Sequence, residues 1–122
     1  MTSETDDMKG ANILTPSASC WSSPAMMVLK PGSDELRFVC DFCAVDAITE
    51  PLTWPLPRVQ DVTEVLGNSM YFTVLDCVKG FFQIPLTHPE DVERSAVKVP
   101  SGSFVHQRLP MGLKNSPLIY QM

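Results

Sequence analysis

Short apolar runs and turn-forming residues alternate along this chain, a pattern that is typical of paired β-strands. The runs 25–30 and 36–43 flank the turn sequence PGSDE, so they predict a β-hairpin. The runs 96–100 and 104–110 flank SGS and predict a second hairpin. We expect the two hairpins to pack near each other in the folded chain.

The clearest helical periodicity lies in residues 57–67. Apolar side chains recur there on one face, at Val59, Val62, Val65 and Leu66. Pro57 suits the first turn of such a helix, and Gly67 suits its end. We expect this helix to cover the apolar run 71–76, which predicts a buried strand.

The remaining segments predict shorter elements. Prolines make residues 48–57 an extended connector, because proline disrupts helix interiors and central strands. Residues 78–84 predict a short turn or helix, and residues 88–96 a single helical turn that begins near Pro89. The final residues NSPLIYQM predict the start of a helix. Together these elements predict an α+β fold.

Length and composition limit the class of protein. The 122 residues allow one domain at most, or a piece of a larger one, and the 44% apolar share is enough for a core. Residues 1–16 are polar and acidic and predict a flexible lead-in, followed by one domain over residues 17–122. No signal peptide or membrane-spanning run is visible, so we expect an intracellular protein.

The charge of the chain is unevenly distributed. The net charge of −5 disfavours strong binding to nucleic acid. Residues 94–122 nevertheless contain four basic residues and no acidic one, whereas residues 1–93 contain five basic and fourteen acidic residues. The last quarter of the chain is therefore suited either to facing a polyanion or to forming a solvated surface.

Four cysteines in a chain without a secretory signal predict reduced thiols. Cys40 and Cys43 form a CxxC, but no second CxxC and no nearby histidine accompany it. In a strand, residues three apart point to opposite faces. The sequence therefore favours ordinary thiols over a zinc or redox site.

One carboxylate stands out in the stretch YFTVLDCVKGFFQIPL, where the apolar run 71–76 ends in Asp76. An acid at the end of a buried strand is held rigidly, and one or two such carboxylates can bind Mg²⁺ with water and phosphate. The alternative is a helix cap, because a short helix is predicted directly after Asp76. The pattern alone favours the cap.

Four segments change this balance: SPAMMVLKPGSDELRFVCDFCAVDAIT, WPLPRVQDVTEVLGNSMYF, TVLDCVKGFFQIPL and HPEDVERSAVKVPSGSFVHQRLPMGLKNSPLIYQM. Their sequences and their order resemble the reverse transcriptases of gypsy-type LTR retrotransposons, from about Ser17 to the last residue. One such motif alone carries little information, whereas four in the family's order are specific. The resemblance implies the fingers and the first part of the palm of a right-hand polymerase.

For the complete parent protein, the resemblance implies template-directed nucleotidyl transfer by two Mg²⁺ ions, with an RNA or DNA template-primer and dNTPs as partners. It also implies the remaining Pol segments as partners of this chain, and it implies no membrane partner. Asp76 matches the catalytic, metal-binding aspartate, and the backbone carbonyl of Cys77 matches a second metal contact. The matched nucleotide-binding positions are Lys30, Arg37, Lys79, Gly80, Phe81 and Met111. Among them, Lys30 and Arg37 match triphosphate ligands, and Phe81 matches the ring that excludes a ribose 2′-hydroxyl.

Structural roles remain open for some of these positions. Lys30 taken by itself is most simply a surface charge, and Phe81 is most simply a core residue, because Phe81 and Phe82 cannot both be exposed. The chain also departs from the family pattern at Leu36, Cys43 and Asp46, and Cys43 replaces an arginine that supports the fingers. This last difference puts competent catalysis in doubt.

The second catalytic motif of the family, Y-x-D-D, is not in these 122 residues. One carboxylate does not hold two Mg²⁺ ions, so we expect a chain that is truncated before that motif and inactive alone. Two alternatives remain: a non-catalytic module that binds nucleic acid or protein, and a decayed retrotransposon remnant without function.

Overall fold

The computed structural model describes residues 2–122 and has a five-stranded sheet at its centre. The elements in chain order are α1 (Thr2–Gly10), β1 (Leu14–Pro16), β2 (Ser23–Leu29), β3 (Leu36–Cys40), α2 (Cys43–Ile48), α3 (Val59–Leu66), a 3₁₀ turn (Gly80–Gln83), α4 (Pro89–Arg94), β4 (Val97–Val99), β5 (Gly102–His106) and α5 (Ser116–Gln121). The predicted α+β class is confirmed.

Both predicted hairpins form and share the sheet, whose strand order is β1-β5-β4-β2-β3. The strands β2 and β3 pair antiparallel, with Met27 opposite Phe38, and β4 and β5 pair antiparallel around the turn that precedes Gly102. A short parallel pairing of β2 with β4 joins the hairpins, with Ser23 opposite Val97. The expected proximity of the two hairpins is therefore confirmed.

The core lies where this sheet meets the residues that follow β3. It contains Met8, Ile13, Leu14, Phe42, Val45, Val97, Val99 and Phe104. Phe42 and Leu14 are 2% and 1% exposed, and burying each side chain stabilises the fold by about 2 kcal/mol.

The N-terminal segment differs from the flexible lead-in that its polar composition predicts. Residues 2–16 form α1 and β1, and β1 pairs with β5, with Leu14 opposite His106. Met8, Ile13 and Leu14 are buried in the core. Three apolar residues in a polar stretch are too few to produce a visible period, yet they are enough to anchor the segment.

The segment after β3 also differs from the prediction. The run LRFVCDFC predicted one strand over residues 36–43, but β3 ends at Cys40 and α2 begins at Cys43. The Asp41 carboxylate accepts a hydrogen bond from the Cys43 backbone N–H at 3.0 Å, which supports the change of direction. The predicted turn at 78–84, the helical turn at 88–96 and the C-terminal helix are confirmed.

The predicted helix at 57–67 forms as α3, but it does not cover the run 71–76. Val59 and Val65 on its apolar face are 80% and 83% exposed. The strand predicted over 71–76 does not form: residues 71–77 pair with no strand among residues 2–122, and Leu75 is 91% exposed. An apolar run becomes a strand only where a neighbouring strand accepts its backbone hydrogen bonds.

Every residue from 50 to 79 is exposed. The chain has an accessible surface of 8928 Å², whereas a compact monomer of 13.5 kDa has about 6,500 Å². The loop 50–79 therefore runs outside the core that residues 2–49 and 80–122 form. Within residues 2–122, no helix has the length and apolarity that a membrane crossing requires.

Candidate functional site

The predicted site residues gather around two neighbouring pockets. The smaller pocket, which we call the Asp76 pocket, is an open depression of about 220 Å³. It is lined by Asp76, Cys77, Gly80, Phe81, Met111 and Tyr120. Five of the eight predicted positions therefore meet there, although Asp76 does not lie at the end of a strand.

A tight turn carries the chain from Cys77 into this pocket. Lys79 has a φ of 47°, in the left-handed region, and its carbonyl accepts a hydrogen bond from the Phe82 backbone N–H at 2.9 Å. The Gln83 side chain donates to the Val78 carbonyl at 2.8 Å. These bonds place consecutive rings in different surroundings: Phe82 packs against the core, and Phe81 lines the Asp76 pocket.

Tyr120 is a pocket residue that the sequence analysis missed. Its ring contacts Phe81 edge-on, with centroids 5.4 Å apart, and its hydroxyl hydrogen-bonds to the Cys77 side chain. That bond, with partial desolvation and the charges that Cys77 and Asp76 carry when ionised, raises the pKa of Tyr120. A Cβ on Gly80 would lie 2.8 Å from the Tyr120 hydroxyl, so a larger residue at this position requires the Tyr120 ring to move. No periodicity in α5 indicates Tyr120, because the contact joins α5 to the 3₁₀ turn.

The larger pocket, which we call the basic pocket, has a volume of about 510 Å³. Lys30, Arg37 and Lys79 line it together with apolar residues of β3 and with Met111. Arg37 lies opposite Val28 in the first hairpin, and Lys30 follows the last residue of β2, so the hairpin brings both cations to one end. Lys30 is ion-paired with Glu35, and this contact lowers the pKa of Glu35.

Met111 lines both pockets, so the Asp76 carboxylate and the three cations lie on either side of one side chain. Gly112 fixes the loop that carries Met111. It has a φ of 103°, and a Cβ there would lie 3.3 Å from the Cys40 carbonyl oxygen. The structure therefore brings all eight predicted residues into two adjoining pockets, with Lys30, Arg37 and Lys79 outside the Asp76 pocket.

His106 also lines the basic pocket and was not singled out in the sequence. It is 1% exposed, and its Nδ1 lies 2.9 Å from the Ser95 carbonyl oxygen. Burial lowers the pKa of His106 to about 4, against the weaker opposing effect of this hydrogen bond. A neutral ring that donates Nδ1–H to Ser95 satisfies this geometry.

The CxxC cysteines do not face a common ligand set. Burial raises the pKa of Cys40 to about 12, while Cys43 is exposed and hydrogen-bonded to Asp41. Across residues 2–122, no three or more His, Cys, Asp or Glu side chains are grouped so that they could hold a metal ion. In the Asp76 pocket, the candidate oxygen donors are the Asp76 carboxylate and the Cys77 carbonyl.

Comparison with known proteins identifies the family to which this chain is similar. Residues 28–122 match the family model described as reverse transcriptase (RNA-dependent DNA polymerase). The chain is 37% identical over 120 residues to the retrovirus-related Pol polyprotein from transposon opus of Drosophila melanogaster, covering 95% of this chain and 12% of that protein. It is 35% identical over 114 residues to the corresponding polyprotein from transposon gypsy of the same fly, covering 89% and 11%.

Solved structures agree with the sequence relatives. The crystal structure of a prototype foamy virus protease–reverse transcriptase mutant matches with a TM-score of 0.83 and 28% identity, over 95% of this chain and 15% of that one. A foamy viral protease–reverse transcriptase in complex with double-stranded DNA matches with a TM-score of 0.73 and 27% identity, over 96% and 19%.

This chain thus spans about an eighth of the length of the Pol polyproteins that it resembles. The family model covers more than three quarters of its residues, and the fold agrees with that of solved members. On these grounds the chain belongs to the reverse transcriptase (RNA-dependent DNA polymerase) family, with gypsy-type transposon Pol polyproteins among its relatives.

Proposed function

We propose that this chain is the incoming-nucleotide region of a retroelement polymerase, which binds a deoxynucleoside triphosphate and contributes one metal-binding carboxylate. The observation that carries the proposal is the pair of adjoining pockets that share Met111, one with Asp76 and the other with three cations. In a complete Pol polyprotein, the proposed reaction is template-directed DNA synthesis.

The basic pocket is suited to the triphosphate. The Arg37 guanidinium can form two parallel hydrogen bonds with phosphate oxygens, and Lys30 and Lys79 supply further positive charge. Lys30 is already ion-paired with Glu35, so its ammonium must exchange a carboxylate for a phosphate. Arg37 has no ion pair within 4.0 Å among residues 2–122, and we therefore propose it as the main phosphate ligand.

Members of this family generally use divalent metal ions. The Asp76 carboxylate and the Cys77 carbonyl fit a hard cation such as Mg²⁺, which prefers oxygen ligands and keeps several waters when one or two carboxylates bind it. When bound, such an ion neutralises phosphate charge and activates a hydroxyl nucleophile. Asp76 is the only carboxylate that lines this pocket in the described chain, so we propose a partial site.

The Phe81 ring is suited to sugar selection. It lines the Asp76 pocket, and the edge-on contact with Tyr120 restricts its movement. A ring fixed beneath the sugar leaves no room for a 2′-hydroxyl. We therefore propose that Phe81 favours deoxynucleotides, and that Met111 lies beside the sugar because it separates the two pockets.

Nucleotide binding tests the proposal directly. Calorimetric titration of the chain with dATP should give an affinity that Arg37→Ala lowers by about a hundredfold or more, since two charged hydrogen bonds contribute about 1.5–3 kcal/mol each. Phe81→Ala should reduce the preference for dATP over ATP several-fold without the loss of dATP binding. Lys98→Ala is the matched control, because Lys98 is an exposed cation on β4 outside both pockets. Unchanged dATP affinity in Arg37→Ala would remove the basic pocket from the proposal.

The metal part of the proposal has a separate test. Mg²⁺ should strengthen dATP binding to the wild type, and Asp76→Asn should abolish most of that gain. Glu64→Gln on α3 serves as the control, because Glu64 is exposed and lines neither pocket. In primer extension on poly(rA)/oligo(dT) we expect no incorporation by the 122-residue chain, since one carboxylate does not hold two Mg²⁺ ions. Incorporation that disappears in Asp76→Asn would show that the site is more complete than we propose.

Nucleic acid is the second proposed partner. A foamy viral relative of known structure is in complex with double-stranded DNA. The last quarter of this chain carries four basic residues and no acidic ones, which supports a weak, salt-dependent contact with a template-primer. Electrophoretic mobility of an RNA–DNA hybrid at increasing salt tests this contact.

A further inference from the structure

The helix α1 is fixed against the core by contacts on its buried side. Met8 is 7% exposed and Thr5 is 1% exposed, so both side chains face inward. The Lys9 ammonium lies 4.4 Å from the centre of the Phe104 ring and 3.3 Å from the Asp6 carboxylate. These contacts give α1 one defined orientation relative to the sheet.

That orientation directs two other acids of α1 towards the basic pocket. Glu4 and Asp7 are three residues apart, which places them on one face of the helix, and both line the basic pocket. Lys30, Arg37 and Lys79 line the same pocket. Within residues 2–122, no ion pair within 4.0 Å joins either acid to these cations, so acids and cations line one pocket without pairing with each other.

We propose that Glu4 and Asp7 form an acidic wall of the basic pocket and lower its affinity for polyanions. The inference rests on the proposed function, because it assigns these residues an effect on nucleotide binding. The three cations attract a triphosphate, and the two carboxylates repel each of its negative charges. The pocket then binds a free triphosphate less tightly than its cations alone would allow.

The charge balance of the pocket supports this effect. Lys30 is also ion-paired with Glu35, so three acids oppose three cations around the site. Repulsion between unpaired charges is long-ranged at low salt and short-ranged at high salt. It also grows with the charge of the ligand, so it weakens binding of a triphosphate more than binding of a monophosphate.

The test measures binding of dATP and dAMP in EDTA, so that no divalent metal contributes. The double variant Glu4→Gln/Asp7→Asn removes two negative charges and keeps the side-chain shapes. We expect it to bind dATP roughly tenfold more tightly at an ionic strength of about 0.01 M, with a smaller gain for dAMP. The gain should disappear near 1 M, where the Debye length is about 3 Å.

The control is Glu64→Gln, which removes an exposed acid of α3 that lines neither pocket and makes no contact with α1 in the ion pairs of the described chain. We expect it to leave dATP affinity within about twofold of wild type at low salt. If the double variant loosens α1, the pocket becomes more open, and a gain from that cause would persist at high salt. The salt dependence therefore separates charge repulsion from unfolding of the helix.

The dATP affinity of the double variant at low and high salt decides whether the acidic wall exists. Tighter dATP binding by the double variant at low salt alone supports it. Wild-type affinity in the double variant, or a gain that salt does not change, overturns it. A third outcome combines three results: the wild type binds dATP, Arg37→Ala loses that binding, and the double variant keeps the wild-type affinity. This outcome excludes the acidic wall and leaves the proposed function standing. Absence of dATP binding in the wild type and in the double variant refutes the acidic wall and the proposed function together.

Discussion

Lowering the pH should destabilise this fold through a single buried histidine. His106 is 1% exposed, its Nδ1 lies 2.9 Å from the Ser95 carbonyl oxygen, and its ring contacts Phe42 edge-on at 6.0 Å. Burial lowers its pKa to about 4, whereas an unfolded histidine titrates at about 6.5. The folded state therefore binds a proton at His106 less readily than the unfolded state does.

These two pKa values set the sign and the size of the change in the free energy of unfolding with pH. Above about pH 7.5 the histidine is almost entirely neutral in both states and contributes almost no pH dependence. Between pH 6.5 and about 4 the unfolded state binds more protons, so the free energy of unfolding falls as the pH falls. A shift of this size corresponds to about 3 kcal/mol over the whole window, and to about 2 kcal/mol between pH 7.5 and pH 5.

Urea denaturation followed by circular dichroism at pH 7.5, 6.5, 5.5 and 5 measures this effect. His106→Gln keeps an amide donor for Ser95 and does not titrate, so its stability should fall by about 2 kcal/mol less than that of the wild type over this range. His88→Gln is the control, because His88 is exposed in front of α4. Equal pH dependence in wild type and His106→Gln would refute the reasoning.

Three further results are expected from the local geometry. Gly112→Ala should lower the free energy of unfolding by about 1–3 kcal/mol in urea denaturation, because the φ of Gly112 is 103° and an added Cβ would press on the Cys40 carbonyl. Gly32→Ala is the comparison, because Gly32 has a φ of 77° and open space around it, and it should lower the same free energy by about 1 kcal/mol. Val74→Pro should change that free energy by less than about 0.5 kcal/mol, because no strand pairs with residues 71–77, and a large loss would indicate a hidden pairing. Iodoacetamide at pH 8 should modify Cys40 roughly a hundredfold more slowly than exposed Cys20, because partial burial of Cys40 raises the pKa of its thiol, with mass spectrometry as the readout. Equal rates would contradict this raised pKa.

The sequence predicted the elements whose signals are local. The turn PGSDE between two apolar runs predicted the first hairpin, and the valine spacing of α3 predicted that helix. The residues to which the family resemblance assigned a role line the two pockets, and those roles remain proposals.

Features that depend on contacts between distant segments could not be predicted in this way. Whether an apolar run such as 71–76 becomes a strand depends on a partner strand, and whether α3 is buried depends on what packs against it. Tyr120 gives no periodic signal, because its contact joins α5 to the turn before Phe81. The role of α1 depends on which pocket its acids face, and helix composition does not contain that information.

The exposed loop 50–79 connects two parts of the chain that are interleaved in one sheet. The strands β1, β2 and β3 precede the loop, β4 and β5 follow it, and the strand order β1-β5-β4-β2-β3 places the later pair between the earlier ones. A protease that cuts the loop therefore leaves two peptides joined by two strand pairings, β1 with β5 and β2 with β4. The same topology makes the loop a natural place to divide the chain into two separately produced halves that assemble by complementation.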